Sequence, residues 1–243
     1  MLQILRNAWK IPELRKRILY TILLLVIFRF GSVIPVPWLD KSVLASWIEQ
    51  SGNTLFGIMD TFSGGSFSEA TIFAMSITPY INSSIILQLL TVAIPALERL
   101  SKEGEEGRKK INKFVRYGAV ILGFVQAAGL YVGLRSANAI SKPGAIAFFV
   151  ITLSFTAGTA FLMWLGEEIS DKGIGNGISL IIFAGIVSRI PKMSWSVWQN
   201  FKNNYLAILI ILVFAILVIA FIVLFNNAER RIPVQYAKRV VGR

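Results

Sequence analysis

Nucleophiles, general bases and metal ligands are nearly missing from this chain. It contains no Cys and no His, which excludes disulfides, thiolate and imidazole metal sites, and Cys–His or Ser–His pairs. What remains are spacings of apolar, small and amide residues. Ile77 and Ile81 stand four positions apart and share a helix face, with Pro79 between them withholding a backbone donor. Asn82, Ser83, Ser84 and Gln88 make other faces of the same helix polar. Stacked isoleucines can pack against a neighbouring helix, or form part of a hydrophobic constriction that closes a pore by excluding water. Spacing alone leaves both readings open. Gly173-Ile174-Gly175-Asn176-Gly177-Ile178-Ser179 is not a dinucleotide fingerprint, because no strand precedes it. Its glycines read as points of close helix contact.

The elements that must carry these residues are set by composition. The 243 residues are 55% hydrophobic and 16% charged, with a formal net charge of +12, against roughly 25% charged residues in an average soluble domain. Six apolar runs approach the ~20 residues that cross a bilayer: Ile18–Ile34, Ile72–Ile94, Tyr117–Leu134, Ala145–Leu165, Ile174–Ile190 and Tyr205–Phe225. If they span, eighteen Lys and Arg fall on the side of the N-terminus and six on the other, counting Arg189 at the outer end of the fifth run, with Arg29 inside the first run. The asymmetry makes that side cytoplasmic. The first apolar run has no small-residue cleavage site and ends in Ile34-Pro35-Val36-Pro37, so no cleavable leader is expected. Arg29 lies near the outer end of its run, where it can snorkel to the interface, and no Asp, Glu or His lies within any of the six runs. That weighs against proton-coupled carriers and aspartyl intramembrane proteases.

Between the first two runs, Thr54–Phe62 is apolar but too short to cross, and Ser63-Gly64-Gly65-Ser66 follows as a hinge. It reads either as an interfacial helix or as a re-entrant piece that fills a cavity. Leu97–Arg116 mixes both signs of charge and reads as a solvated loop at the lipid headgroups. In the tail, Ile232, Val234 and Tyr236 alternate among basic residues as in a short strand. It suits either an acidic or RNA-rich partner or the membrane surface.

At these residues the sequence resembles the SecY family, the central subunit of the bacterial protein-translocation channel. The resemblance rests on seven stretches in the family's order: Phe28–Pro37, Phe62–Gly65, Pro79–Leu90, Lys102–Glu105, Phe161–Glu167, Gly173–Ser179 and Ala228–Ile232. It implies an all-α membrane protein, a polytopic helical bundle of six transmembrane helices. These would be the first five-helix half of an inverted-repeat channel plus one helix. The implied organisation is a cytoplasmic N-terminus over 1–17, the five-helix half over 18–190 with a plug at 54–66, an external loop and sixth span over 191–225, and the start of a docking loop over 226–243. The second half would have to come from another polypeptide stretch, since this chain alone is not expected to make a channel.

By position, Ile77, Ile81 and Ile182 resemble members of the pore ring. Leu55, Phe56, Ile58, Met59 and Phe62 resemble plug residues, with Gly64 and Gly65 as the plug hinge. Ile85, Gln88 and Gln126 resemble one wall of the lateral gate for signal sequences. Arg230, Arg231, Tyr236, Lys238, Arg239 and Arg243 resemble the surface that docks the SecA motor or the ribosome. The implied partners are the remaining SecY half, SecE and SecG, the motor or ribosome, a signal sequence with its translocating polypeptide, and membrane lipids. The implied location is the bacterial plasma membrane. Neither a cofactor, a metal nor enzymatic activity is expected. Fragments of a small-solute transporter, with substrate ligands at a broken helix, and a membrane enzyme are the alternatives. The second lacks a nucleophile with a base.

Overall fold

The computed structural model describes residues 9–50, 55–201 and 205–229. It separates into two units, Met1–Ile190 and Pro191–Arg243. Helix α1, Pro12–Gly31, starts earlier than the apolar run because Pro12 suits the first helical turn and Glu13 favours the positive end of the helix dipole. It buries Thr21, Leu24, Phe28 and Gly31, one face at three- and four-residue spacing. Arg29 in its last turn is exposed and donates from Nη1 to Ser32 Oγ at 3.3 Å.

The long connection that follows is more ordered than its sequence suggests. Helix α2, Lys41–Gln50, is capped by Asp40, whose Oδ1 accepts the Ser42 N–H at 2.9 Å and the Ser42 hydroxyl at 2.6 Å. The Ser42 hydroxyl first, then the Ser42 and Val43 amides, hold the Asp40 carboxyl below its ordinary pKa. Helix α3, Leu55–Phe62, is followed by turns through Ile77. Two isolated bridges, Pro35 to Thr71 and Leu39 to Ile140, pin the connection down. Among the described residues no strand forms.

Helix α4, Thr78–Ala93, is shorter than the apolar run Ile72–Ile94, since Pro79 sits in its first turn, where its missing donor costs nothing. The expected mid-helix break at Pro79 is therefore a helix start. The break comes instead at Ile94-Pro95: helix α5, Pro95–Lys102, leaves α4 at 103°. Helix α6, Glu105–Ser136, follows a two-residue turn in which Gly104 takes φ of +77°. The charged loop expected over 97–116 is thus a helical hairpin. Glu and Lys are good helix formers; Glu98 and Lys102 pair within α5 at 2.6 Å, and Glu103 in the turn pairs with Lys110 of α6 at 3.6 Å. Helix α7 runs Ala145–Lys172, α8 runs Gly177–Phe201 with Pro191 inside it, and α9 runs Tyr205–Asn226.

Among the described residues, four helices (α6, α7, α8 and α9) are long and apolar enough to cross a membrane, and a fifth span results if α4 and α5 count as one. The remaining expected span, the first in the chain, is α1, which is 20 residues long but carries Glu13, Arg15, Lys16, Arg17 and Arg29 toward its ends. In the first unit, α4 packs on α6, α6 on α7, and α1 on α7. One buried cluster joins Leu44, Phe67 and Met75 to Leu130, Leu134 and Phe155. The other joins Leu24 and Phe28 of α1 to Phe73, Ile77, Leu162, Leu165, Ile169 and Ile181. In the second unit, α9 buries none of its side chains.

Candidate functional site

The short helix α3 and the turns after it form the floor of the site. Gly64 and Gly65, at φ of +67° and +88°, end α3 in the left-handed region that side chains avoid. The Gly65 N–H donates back to the Asp60 carbonyl at 2.9 Å. A Cβ on Gly64 would lie 2.6 Å from the carbonyl oxygen of Gly185, so α3 ends backbone to backbone against α8. The segment expected as a hinge is packed closely here. Beside it, Arg189 Nη1 of α8 donates to Asp60 Oδ2 at 2.7 Å, with side-chain exposures of 24% and 5%. Asp60 Oδ1 accepts the Ser68 N–H at 2.8 Å. This pair was not read from the sequence: its members lie 129 positions apart. The available signal was an acid inside an otherwise apolar segment.

Above this floor, α3, α4 and α6 enclose a cleft of about 390 Å³ lined by Met59, Met75, Thr78, Asn82, Gln126 and Leu130 among others. Its wall is apolar with three convergent amide or hydroxyl groups, so it can hold a mostly apolar chain without binding any one side chain strongly. A smaller depression of about 250 Å³ lies between α4 and α6, where Ile85 and Gln126 meet with Asn82, Ile86 and Leu122. Of the three residues expected at a lateral gate, Ile85 and Gln126 therefore share a groove; Gln88 is exposed further along α4 and does not line it. The Ser83 hydroxyl, buried on another face of α4, donates to the Val115 carbonyl at 2.8 Å and fastens α4 to α6.

The three isoleucines have different surroundings. Ile77 is 1% exposed, within the cluster that contains Ile181 of α8, while Ile81, one turn on, is 36% exposed. Ile182, next to Ile181, is partly exposed. The shared face of Ile77 and Ile81 thus runs from core to open surface, because the turns before α4 cover only its start. For Ile77 this is the packing environment that spacing had left open. Of the expected plug residues, Met59 lines the cleft and Ile58 and Phe62 are exposed. Leu55 and Phe56 belong to α3, but their side chains lie outside what the structure describes, as do Arg230, Arg231, Tyr236, Lys238, Arg239 and Arg243 altogether.

At the opposite end of the bundle, the Tyr20 hydroxyl donates to Glu168 Oε1 at 2.7 Å, and Lys172 pairs with the same carboxylate. Lys172 first, then Tyr20, hold the Glu168 carboxyl below its ordinary pKa. Arg116 Nε donates to Glu167 Oε1 at 2.7 Å, joining α6 to α7. Among the described residues, no group of three or more acidic side chains is placed to hold a metal.

The SecY family model matches residues 71–243. Protein translocase subunit SecY of Buchnera aphidicola subsp. Acyrthosiphon kondoi is 45% identical over 238 residues, covering 95% of this chain and 67% of its own length. That of Escherichia coli K12 is also 45% identical over 238 residues, with 95% of this chain and 54% of its own length covered. That of Halalkalibacterium halodurans is 44% identical over 254 residues, covering 100% of this chain and 58% of its own length. The chain thus spans little more than half the length of most of these relatives. Among solved structures, the Sec61 channel in the canine ribosome–channel complex from the endoplasmic reticulum has a TM-score of 0.60 at 21% identity, over 90% of this chain and 49% of that one. Another, described as a protein-conducting channel, has a TM-score of 0.54 at 22% identity, over 79% and 41%. At those identities the two structures speak for the fold.

Proposed function

The chain belongs to the SecY family, and on that premise we propose that it forms one wall of a protein-conducting channel in the bacterial plasma membrane, with its N-terminus cytoplasmic. The observation that carries the reading is 45% identity to a protein translocase subunit along 95% of the chain. The arrangement of α3, α4, α6 and α8 fits it. A conduit for chains of any sequence cannot rely on specific hydrogen bonds, whereas flexible apolar side chains can seal around whatever passes and exclude water when empty.

In this reading Ile81 and Ile182 face the conduit, and Ile77 beneath them fixes the start of α4 against α8. Helix α3 is the plug, seated across the cleft at rest with Gly64 and Gly65 at its root. The groove holding Ile85 and Gln126 is this chain's side of the lateral gate, which Gln88 extends. A signal helix bound there favours the open state to the extent that it binds that state better. The other half of the channel, together with SecE and SecG, completes the wall. The basic tail from Arg230 to Arg243 docks the SecA motor or the ribosome, which supplies the energy, so no catalytic step is assigned to this chain. The division into a five-helix half over 18–190 and a following span over 191–225 belongs to the same proposal.

The test compares a secretory preprotein with labelled small solutes in vesicles holding the completed channel and its motor. The preprotein is expected to enter while the solutes stay out. Uptake of solutes without preprotein would replace this reading with a small-solute transporter.

A further inference from the structure

Asp60 is an unfavourable residue where it stands. It lies toward the C-terminal end of α3, where the helix dipole repels a negative charge, within the apolar segment Leu55-Phe56-Gly57-Ile58-Met59-Asp60-Thr61-Phe62. Its side chain is 5% exposed. Arg189 is equally out of place among Ile186, Val187, Ser188 and Ile190 of α8. Each charge is costly in those surroundings unless paired, and the 2.7 Å contact pairs them. No hydrogen bond within α3 explains the acid, and Arg189 has no other ionic partner among the described residues.

The neighbouring geometry turns this pair into a fastening. The Gly64–Gly185 approach lets the two backbones meet, and a Cβ on Gly185 would come within 3.2 Å of the Phe62 carbonyl oxygen. Ser68 donates its N–H to the second Asp60 oxygen at 2.8 Å, which aims the carboxylate at Arg189. Lifting α3 away from α8 would separate both charges at once, and each would then require water.

We infer that Asp60 and Arg189 form an ionic latch that sets how readily the α3 plug leaves its resting seat on α8. They are positioning residues for gating; the inference rests on the assignment of α3 as the plug. A latch of this kind makes release all-or-none, because a partly withdrawn α3 would leave two charges unpaired in a low-dielectric site. It also makes the resting state depend on ionic strength once water reaches the pair.

The experiment records resting ion conductance of the complete channel in planar bilayers. Asp60→Asn and Arg189→Gln should each raise the resting open fraction about tenfold, the scale of a lost charge-assisted hydrogen bond. The exchanged pair, Asp60→Arg with Arg189→Asp, should bring it back toward the parent value. Asp60→Asn is isosteric and still accepts the Ser68 N–H, so it carries the test if the exchanged pair does not assemble. Single variants as tight as the parent would overturn the latch, as would leaky single variants that an assembled exchanged pair fails to restore. Removing residues 55–62 separates the two claims: if removal raises conductance and the point variants do not, the latch is wrong and the plug stands. If removal changes nothing, the plug assignment itself fails.

Discussion

A Cβ added to Gly177 would lie 2.0 Å from the carbonyl oxygen of Gly166. Helices α7 and α8 therefore meet without side chains between them at this crossing, and the first turn of α8 is seated directly on the last turns of α7. Because α8 also carries Ile182, Gly185 and Arg189, this crossing sets where the far end of α8 meets α3.

The first prediction concerns that crossing. Gly177→Ala should destabilise the completed channel by roughly 1–3 kcal/mol, the usual cost of overpacking, since backbone rather than a movable side chain blocks the new methyl. Gly175→Ala should cost only about 1 kcal/mol from its left-handed backbone, because open space surrounds it. Thermal unfolding in detergent checks both; equal melting temperatures for the two variants would show that the close approach is not what the glycine serves.

The isoleucines should separate by role. Ile81→Ser with Ile182→Ser should raise ion leakage through the completed channel with little change in its amount or melting temperature. Ile77→Ser, which leaves a hydroxyl in a packed core, should lower stability by about 2–4 kcal/mol. Leak recordings alongside unfolding curves decide it. Leakage from Ile77→Ser alone at full stability would put that residue on the conduit.

The pH dependence should follow Glu168, which lies beyond the apolar run of α7. Its folded-state pKa is lowered from the ordinary 4.5 by Lys172 and then Tyr20. A depressed carboxylate pKa stabilises the fold above the ordinary value, and that stability is lost as pH falls through the folded value. Acidification below about 4.5 should therefore lower the melting temperature of the parent channel more than that of Glu168→Gln. Parallel curves would remove this carboxylate from the account.

The basic tail should matter to partners and not to sealing. Reversing charge at Arg231, Lys238 and Arg239 should weaken motor binding while resting leakage stays at the parent level. Unaltered motor affinity would return these residues to anchoring at anionic lipid headgroups.

Much of the scaffold was legible because hydrophobic runs and helices coincide where nothing else intervenes. The runs beginning at Ala145 and Tyr205 start where α7 and α9 start, and Gly173 and Gly177 make the close contact their small size allows, while Gly175 does not. The misreadings have local causes. Hydropathy is blind to charged helix formers, so the α5–α6 hairpin reads as a loop, and α2 goes unsignalled because its cap, Asp40, stands within a long connection. The sequence reads Pro79 as mid-helix because the apolar run extends seven residues ahead of it, six of them in turns rather than helix. At the candidate site, Ile81 and Ile85 are exposed, but spacing does not distinguish them from Ile77, which is buried with Phe73, Leu162 and Ile181. Pairing Asp60 with Arg189 needed the fold itself.

The most direct measurement places a photoreactive side chain at Ile81, at Ile182 and, as a control on a helix that does not line the cleft, at Val26 of α1, in the completed channel holding an arrested secretory preprotein. Cross-links to the moving chain from Ile81 and Ile182, and none from Val26, are the predicted result. An arrested preprotein that cross-links to neither isoleucine would contradict the claim that unfolded polypeptide passes along this face.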